Sequence, residues 1–233
     1  MGVFRFKQFD IQHDKNAMKV GTDGVVLGAW ADVPGAKRIL DIGSGTGLIA
    51  MMCAQRNLNA QIDAVEIDSI AYSEMVSNFK RTPWHNRLNA FEGDIKDYQT
   101  ADGYDLIVTN PPFFVAGTSA PDLSRGRARH TSHLSPEDLV MHIIRLLNVN
   151  GKACVILPYA EGKDFTQMCR KKGLHLTKET SFLPYADKPT ERLLLQFENE
   201  PKNLVQNTIV HYNEDRSWHE SYKTLTQAFH PML

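Results

Sequence analysis

Two short runs in this 233-residue chain combine residue types and spacing that suit chemistry. The first is Asn110-Pro111-Pro112-Phe113, placed directly after the apolar run Tyr104 to Thr109. An exocyclic amine on an aromatic ring is a poor nucleophile, because its lone pair is delocalised. A site acting on such an amine must hold it in line with an activated group and draw on its hydrogens. Asn110 Oδ1 and the Pro111 carbonyl can each accept one of those hydrogens, and Phe113, or Phe114 beside it, can stack on the ring. Proline at 111 stiffens the turn that presents the carbonyl. The competing reading is a rigid loop with a capping Asn and core-packed aromatics.

The second run is Asp41-Ile42-Gly43-Ser44-Gly45-Thr46-Gly47, between an apolar strand and a helix start. Residues without Cβ let a backbone approach a ligand closely, and the helix start supplies unpaired N–H groups. Glu66, 19 residues beyond Gly47, stands where both hydroxyls of an adenosine ribose can be accepted. Gly loop and Glu66 alone fit nicotinamide cofactors as well as S-adenosylmethionine. Asp41 favours the second: before the first glycine it would oppose a pyrophosphate, but it can receive a cationic amino-acid end directly or through water. Asp94 can accept from an adenine amine, or can be a turn carboxylate.

These runs need a scaffold, and the periodicity supplies one. Arg38 to Ile42, Ile62 to Ile67, Asn89 to Glu92, Tyr104 to Thr109 and Lys152 to Leu157 read as strands. Helices are expected from Leu48 to about Arg56, through Ala71, Met75 and Phe79, from Pro136 to about Leu147, and from Gly162 to Lys171. Thr22 or Asp23 can cap an earlier helix through Val25, Leu27 and Trp30. Leu174 to Leu183 and Glu191 to Phe197, separated by Pro184 and Pro189, are expected to pair antiparallel at the sheet edge. The fold class expected is α/β, a mostly parallel seven-stranded sheet with helices on both faces and an antiparallel edge hairpin. One domain over 1–233 is expected, with 1–20 as a strand or hairpin appendage. Segment 201–233 is expected to be an extension packed on the core, adding a strand at Ile209 and a helix containing Trp218, Tyr222 and Leu225.

Composition narrows the class. Hydrophobic residues at 42% can bury one substantial core, and a net charge of -1 means that any nucleic-acid surface must be a local patch. Cys53, Cys154 and Cys169 lack metal or disulfide spacing, as expected of buried thiols in a reducing compartment. The N-terminus does not read as a signal peptide, and no apolar run is long enough to span a membrane, so a cytoplasmic protein is expected. Arg125, Arg127 and Arg129, with His130 and His133, form one cationic strip, and Arg170-Lys171-Lys172 form another. Each suits a phosphate backbone, and each also reads as a solvated loop or a charged helix end. His130 and His133 have no third partner at a diagnostic interval, so no metal is expected.

Through the Asp-Ile-Gly-Ser-Gly-Thr-Gly and Asn-Pro-Pro-Phe motifs, the chain resembles class I, Rossmann-like S-adenosylmethionine methyltransferases of the N6-adenine or N5-glutamine branch. Over essentially its full length, including Lys19-Val20-Gly21-Thr22-Asp23-Gly24, it resembles the bacterial family that methylates adenine N6 in tRNA(Val), at adenosine 37 beside the anticodon. The resemblance implies S-adenosylmethionine as cofactor and tRNA as partner. It places Gly43, Gly45 and Gly47 around the methionine part, Glu66 on the ribose, Asp94 near the adenine, and Asn110 to Phe113 around the target base. It adds Asp68 to the cofactor residues, and Lys19 as a contact to cofactor or substrate. Phe113 stands where many glutamine methyltransferases have Tyr, which leans toward a nucleobase.

Overall fold

The computed structural model describes residues 2–12, 20–112 and 134–231. Lys19, Phe113, Phe114, Arg125, Arg127, Arg129, His130 and His133 lie outside them. The chain begins with two short antiparallel strands, β1 (Val3–Arg5) and β2 (Asp10–Gln12). Their aromatic side anchors them. Phe6 stacks on Phe9 at 4.6 Å, Phe9 meets the edge of Trp84, and Phe6, Phe9 and Ile11 are buried in the main core.

Helix α1 (Thr22–Trp30) follows, then alternating elements: β3 (Arg38–Ile42), α2 (Leu48–Arg56), β4 (Gln61–Glu66), α3 (Ser69–Lys80), β5 (Leu88–Glu92) and β6 (Tyr104–Thr109). The second half holds α4 (Pro136–Leu146), β7 (Leu147–Pro158), α5 (Tyr159–Lys171), β8 (His175–Tyr185), β9 (Arg192–Glu198), β10 (Val205–Tyr212) and α6 (Glu220–Thr226). The sheet order is β10-β8-β9-β7-β6-β3-β4-β5. Only β9 runs against its neighbours. Residues of α1, α2, α3 and α6 pack on one face of the sheet and those of α4 and α5 on the other.

The expected α/β class stands, with an eighth strand beyond the expected seven. β10 pairs parallel to β8, so the antiparallel pair β8–β9 is interior to the sheet. Pro184 falls within β8 rather than after it. The ladder to β10 passes from Leu183↔Val210 to Tyr185↔Tyr212 and skips Pro184, which has no N–H to contribute. Helix α5 starts at Tyr159, earlier than Gly162. A Cβ at Gly162 would stand 3.0 Å from the Leu193 side chain, so the glycine permits close packing of the helix on β9. Helix α1 is capped by Gly21 with no side-chain bond, not by Thr22 or Asp23. Trp218 precedes α6 and bridges to Tyr212 instead of lying within the helix.

Candidate active site

The strand order reverses at β3, which has β4 on one side and β6 on the other, and a crevice opens at the carboxyl ends of such strands. The glycine turn sits there. Gly43, Gly45 and Gly47 have φ of 68°, 56° and 84°, a region that side chains with a Cβ rarely adopt. Their roles differ. A Cβ at Gly43 or Gly45 would point into open space, whereas one at Gly47 would stand 2.5 Å from Phe79 of α3. Gly43 and Gly45 line the crevice, and Gly47 lets α2 approach α3.

A cavity of about 440 Å³ occupies this crevice. It is lined by the start of α1 (Gly21 to Gly24), the glycine turn, Asn110 at the end of β6, Glu191 just before β9, and Phe182, Arg192 and His211 from the last three strands. The structure thus brings Gly43, Gly45 and Asn110 to one cavity. Asn110 is half-buried, Pro111 is buried and Pro112 is exposed.

The carboxylates lie along the same sheet edge but not on that cavity's wall. Glu66, 7% exposed, accepts from Gly45 N–H at 2.7 Å and from Asp68 N–H at 2.8 Å, tying the glycine turn to the end of β4. A carboxylate has about four acceptor positions, so two remain for ribose hydroxyls. Asp68 caps α3, accepting from Ile70 and Ala71 N–H. Asp94 accepts from Lys96 N–H at 2.9 Å in the turn after β5.

Asp41 departs from the expected contact with a cationic ligand end. It is fully buried below the turn, where Oδ2 accepts from Ala50 N–H at 3.1 Å, a first-turn donor of α2 that Gly47 cannot cap. Oδ1 has no partner among the described residues. Burial, opposed by the Ala50 bond and reinforced by the nearby Glu66 charge, pushes the carboxyl up to about 7.

Arg170, Lys171 and Lys172 are not brought to the site. Helix α5 starts at the carboxyl end of β7 and returns to the opposite sheet edge, so these exposed residues close its last turn there, where cations complement the helix dipole. Sequence reasoning missed Phe182, Arg192 and His211. Arg192 Nε pairs with Asp23 Oδ2 at 2.9 Å, joining β9 to the start of α1. His211 packs on Tyr212 at 3.8 Å and Tyr222 at 4.4 Å. Burial, reinforced by His230, pushes its imidazole down to about 4. No local motif marks these residues, because they meet only through sheet pairing.

The sheet and crevice define a class I methyltransferase. Residues 24–128 match the Methyltransferase small domain family. A predicted O-methyltransferase from Agrobacterium tumefaciens shares the fold at a TM-score of 0.68 and 16% identity, over 89% of this chain and 96% of that one. A methyltransferase from Pyrococcus furiosus does so at 0.59 and 20%, over 82% and 89%. Proteins from Aeromonas hydrophila (44% identical, 97% of this chain, 96% of that one) and Dyadobacter fermentans (41%, 97%, 96%) are both named tRNA1(Val) (adenine(37)-N6)-methyltransferase. So is one from Escherichia fergusonii (39%, 97%, 94%). At these identities and coverages the chain belongs to the tRNA1(Val) (adenine(37)-N6)-methyltransferase family.

Proposed function

We propose that this protein methylates the N6 amine of adenosine 37 in tRNA(Val), with S-adenosylmethionine as methyl donor. The observation that carries the reading is Asn110, set at the end of β6 on the wall it shares with Gly43 and Gly45. The turn's open backbone at Gly43 and Gly45, with acidic residues at the ends of β4 and β5, fits a cofactor carrying methionine, ribose and adenine. That cofactor supplies an already activated methyl group, so no strong base is needed before attack.

The chain's own groups do the rest. Glu66 holds the glycine turn and accepts from the ribose, with Asp94 near the adenine and Asp68 setting the start of α3, and Lys19 is proposed as a contact to cofactor or substrate. Asn110 Oδ1 and the Pro111 carbonyl accept hydrogen bonds from the two amine hydrogens, favouring a more pyramidal nitrogen that can attack in line. The N–C bond would form as the sulfonium S–C bond breaks, leaving S-adenosylhomocysteine, and the methylated nitrogen would then lose one proton to solvent. Pro112 keeps the turn rigid, and Phe113 stacks on the base. The adenine must leave its stack to enter, which a loop nucleotide does at low cost. Arg125, Arg127 and Arg129 follow this loop in the chain and supply cations for the phosphate track. Glutamine methylation would use the same polar loop, but the nearly full-length relatives favour the nucleobase. The test is incubation with labelled S-adenosylmethionine and unmodified total tRNA, followed by nucleoside mass analysis and mapping. Label in N6-methyladenosine at position 37 of tRNA(Val) is expected. Label in another nucleoside or position, or none, would overturn the reading.

A further inference from the structure

The cavity wall opposite the glycine turn belongs to β8, β9 and β10, outside the matched residues 24–128 of the general methyltransferase family but inside the 97% of the chain shared with the tRNA-named relatives. Groups that choose the target should lie in this additional part. Its composition is specific. Phe182 and His211 provide apolar and aromatic surface, their rings 5.4 Å apart, and Tyr212 and Tyr222 hold the His211 ring in place.

The charges select the kind of ligand. Asp23 and Glu191 line the cavity with Arg192, and both pair with it, at 2.9 and 3.3 Å. Two carboxylates against one guanidinium leave no excess positive charge for a phosphate, so this wall suits a neutral ring whose phosphates stay outside. His211 is 8% exposed, and among the described residues its ring makes no hydrogen bond, while the Tyr222 hydroxyl is engaged by His230 Nε2 at 3.0 Å. Burial and the neighbouring His230 keep the imidazole neutral, so it carries one N–H donor.

We propose that His211 is a base-reading residue, its imidazole donating a hydrogen bond to N1 or N7 of the target adenine against the Phe182 wall. Asn110 accepts from the exocyclic amine. On the edges that carry N1 and N7, adenine sets a ring acceptor beside the C6 amine donor, whereas guanine has a carbonyl at C6 and an N–H at N1. The inference rests on the adenine N6 reading.

The experiment compares wild type, His211→Phe and His211→Gln in single-turnover methylation of tRNA(Val) transcripts. Position 37 carries adenosine, 1-deazaadenosine or 7-deazaadenosine, and S-adenosylmethionine affinity is measured alongside. His211→Phe keeps the ring packing and removes the donor, and should slow transfer to adenosine about 10- to 100-fold with cofactor affinity unchanged. His211→Gln should restore part of the rate. One deaza analogue should slow the wild type by a similar factor and leave His211→Phe no slower than on adenosine, which also identifies the nitrogen read. A wild-type rate in His211→Phe, or the same analogue penalty in both proteins, would overturn the inference alone. Absence of transfer by wild type to any adenosine 37 would overturn the parent reading and this inference with it.

Discussion

The two halves of the crevice are built on different principles. From β3 to β5 the ligand-facing surface is mostly backbone, held by side chains: the glycine turn is fixed by Glu66, and Asp41 and Asp68 satisfy first-turn donors of α2 and α3. From β8 to β10 the surface is side chain, an aromatic wall held by packing and by the Arg192–Asp23 pair. A common cofactor can be held by a backbone that tolerates few substitutions. A particular target needs side chains, which can change without altering the turn.

The largest effect should come from the glycines, and it separates fold from ligand. Gly47→Ala puts a Cβ at 2.5 Å from Phe79 in a left-handed backbone and should cost about 3 kcal/mol or more of stability. Gly45→Ala faces open space and should cost about 1 kcal/mol of stability while weakening S-adenosylmethionine binding more. Thermal melts and calorimetry on both variants test the division. Equal losses of stability would erase it.

Glu66→Ala should weaken S-adenosylmethionine binding by a few kcal/mol at most, because it removes the anchor of Gly45 and, with it, the proposed ribose acceptor. Unchanged affinity by calorimetry in a folded variant would sink the role of Glu66.

The halves should also respond oppositely to pH. Asp41 is raised from 3.8 to about 7, so its contribution to stability is present below pH 3.8 and is lost as pH rises through 7. His211 is lowered from 6.5 to about 4, so its contribution is present above pH 6.5 and is lost as pH falls toward 4. Asp41→Asn keeps an acceptor for Ala50 N–H and should stabilise the cofactor-free protein at pH 8 by about 1–3 kcal/mol. Urea melts from pH 4.5 to 8.5 provide the check. No gain at pH 8 would contradict the buried-carboxylate account.

The smallest effect concerns the basic strips. Neutralising Arg125, Arg127 and Arg129 should flatten the salt dependence of tRNA binding by about one unit of slope per lost phosphate contact. The same change at Arg170, Lys171 and Lys172, on the far sheet edge, should leave the slope unaltered. Filter binding across a salt series distinguishes them, and equal slopes would contradict the placement.

What was legible in the sequence follows the same division. The strands β3 to β6 and the motifs at their ends are local: a strand, a turn and a helix start lie within a few residues of one another. The eighth strand was visible at Ile209, but its place beside β8 depends on pairing between segments about 27 residues apart. Asp41 was legible as a carboxylate at a turn. Its burial was not, because the Ala50 donor becomes its partner only when α2 packs back on β3. His211, Arg192 and Phe182 carry no local signal, since α1, β8, β9 and β10 must assemble before they share a wall.

The central claim is that Asn110, lining one cavity with the glycine turn, aligns the target amine. Single-turnover methyl transfer to tRNA(Val) by Asn110→Ala at saturating cofactor tests it most directly. The account predicts a rate reduced by a factor of about 100 or more, with S-adenosylmethionine affinity close to wild type. A folded Asn110→Ala protein transferring methyl at the wild-type rate would contradict it.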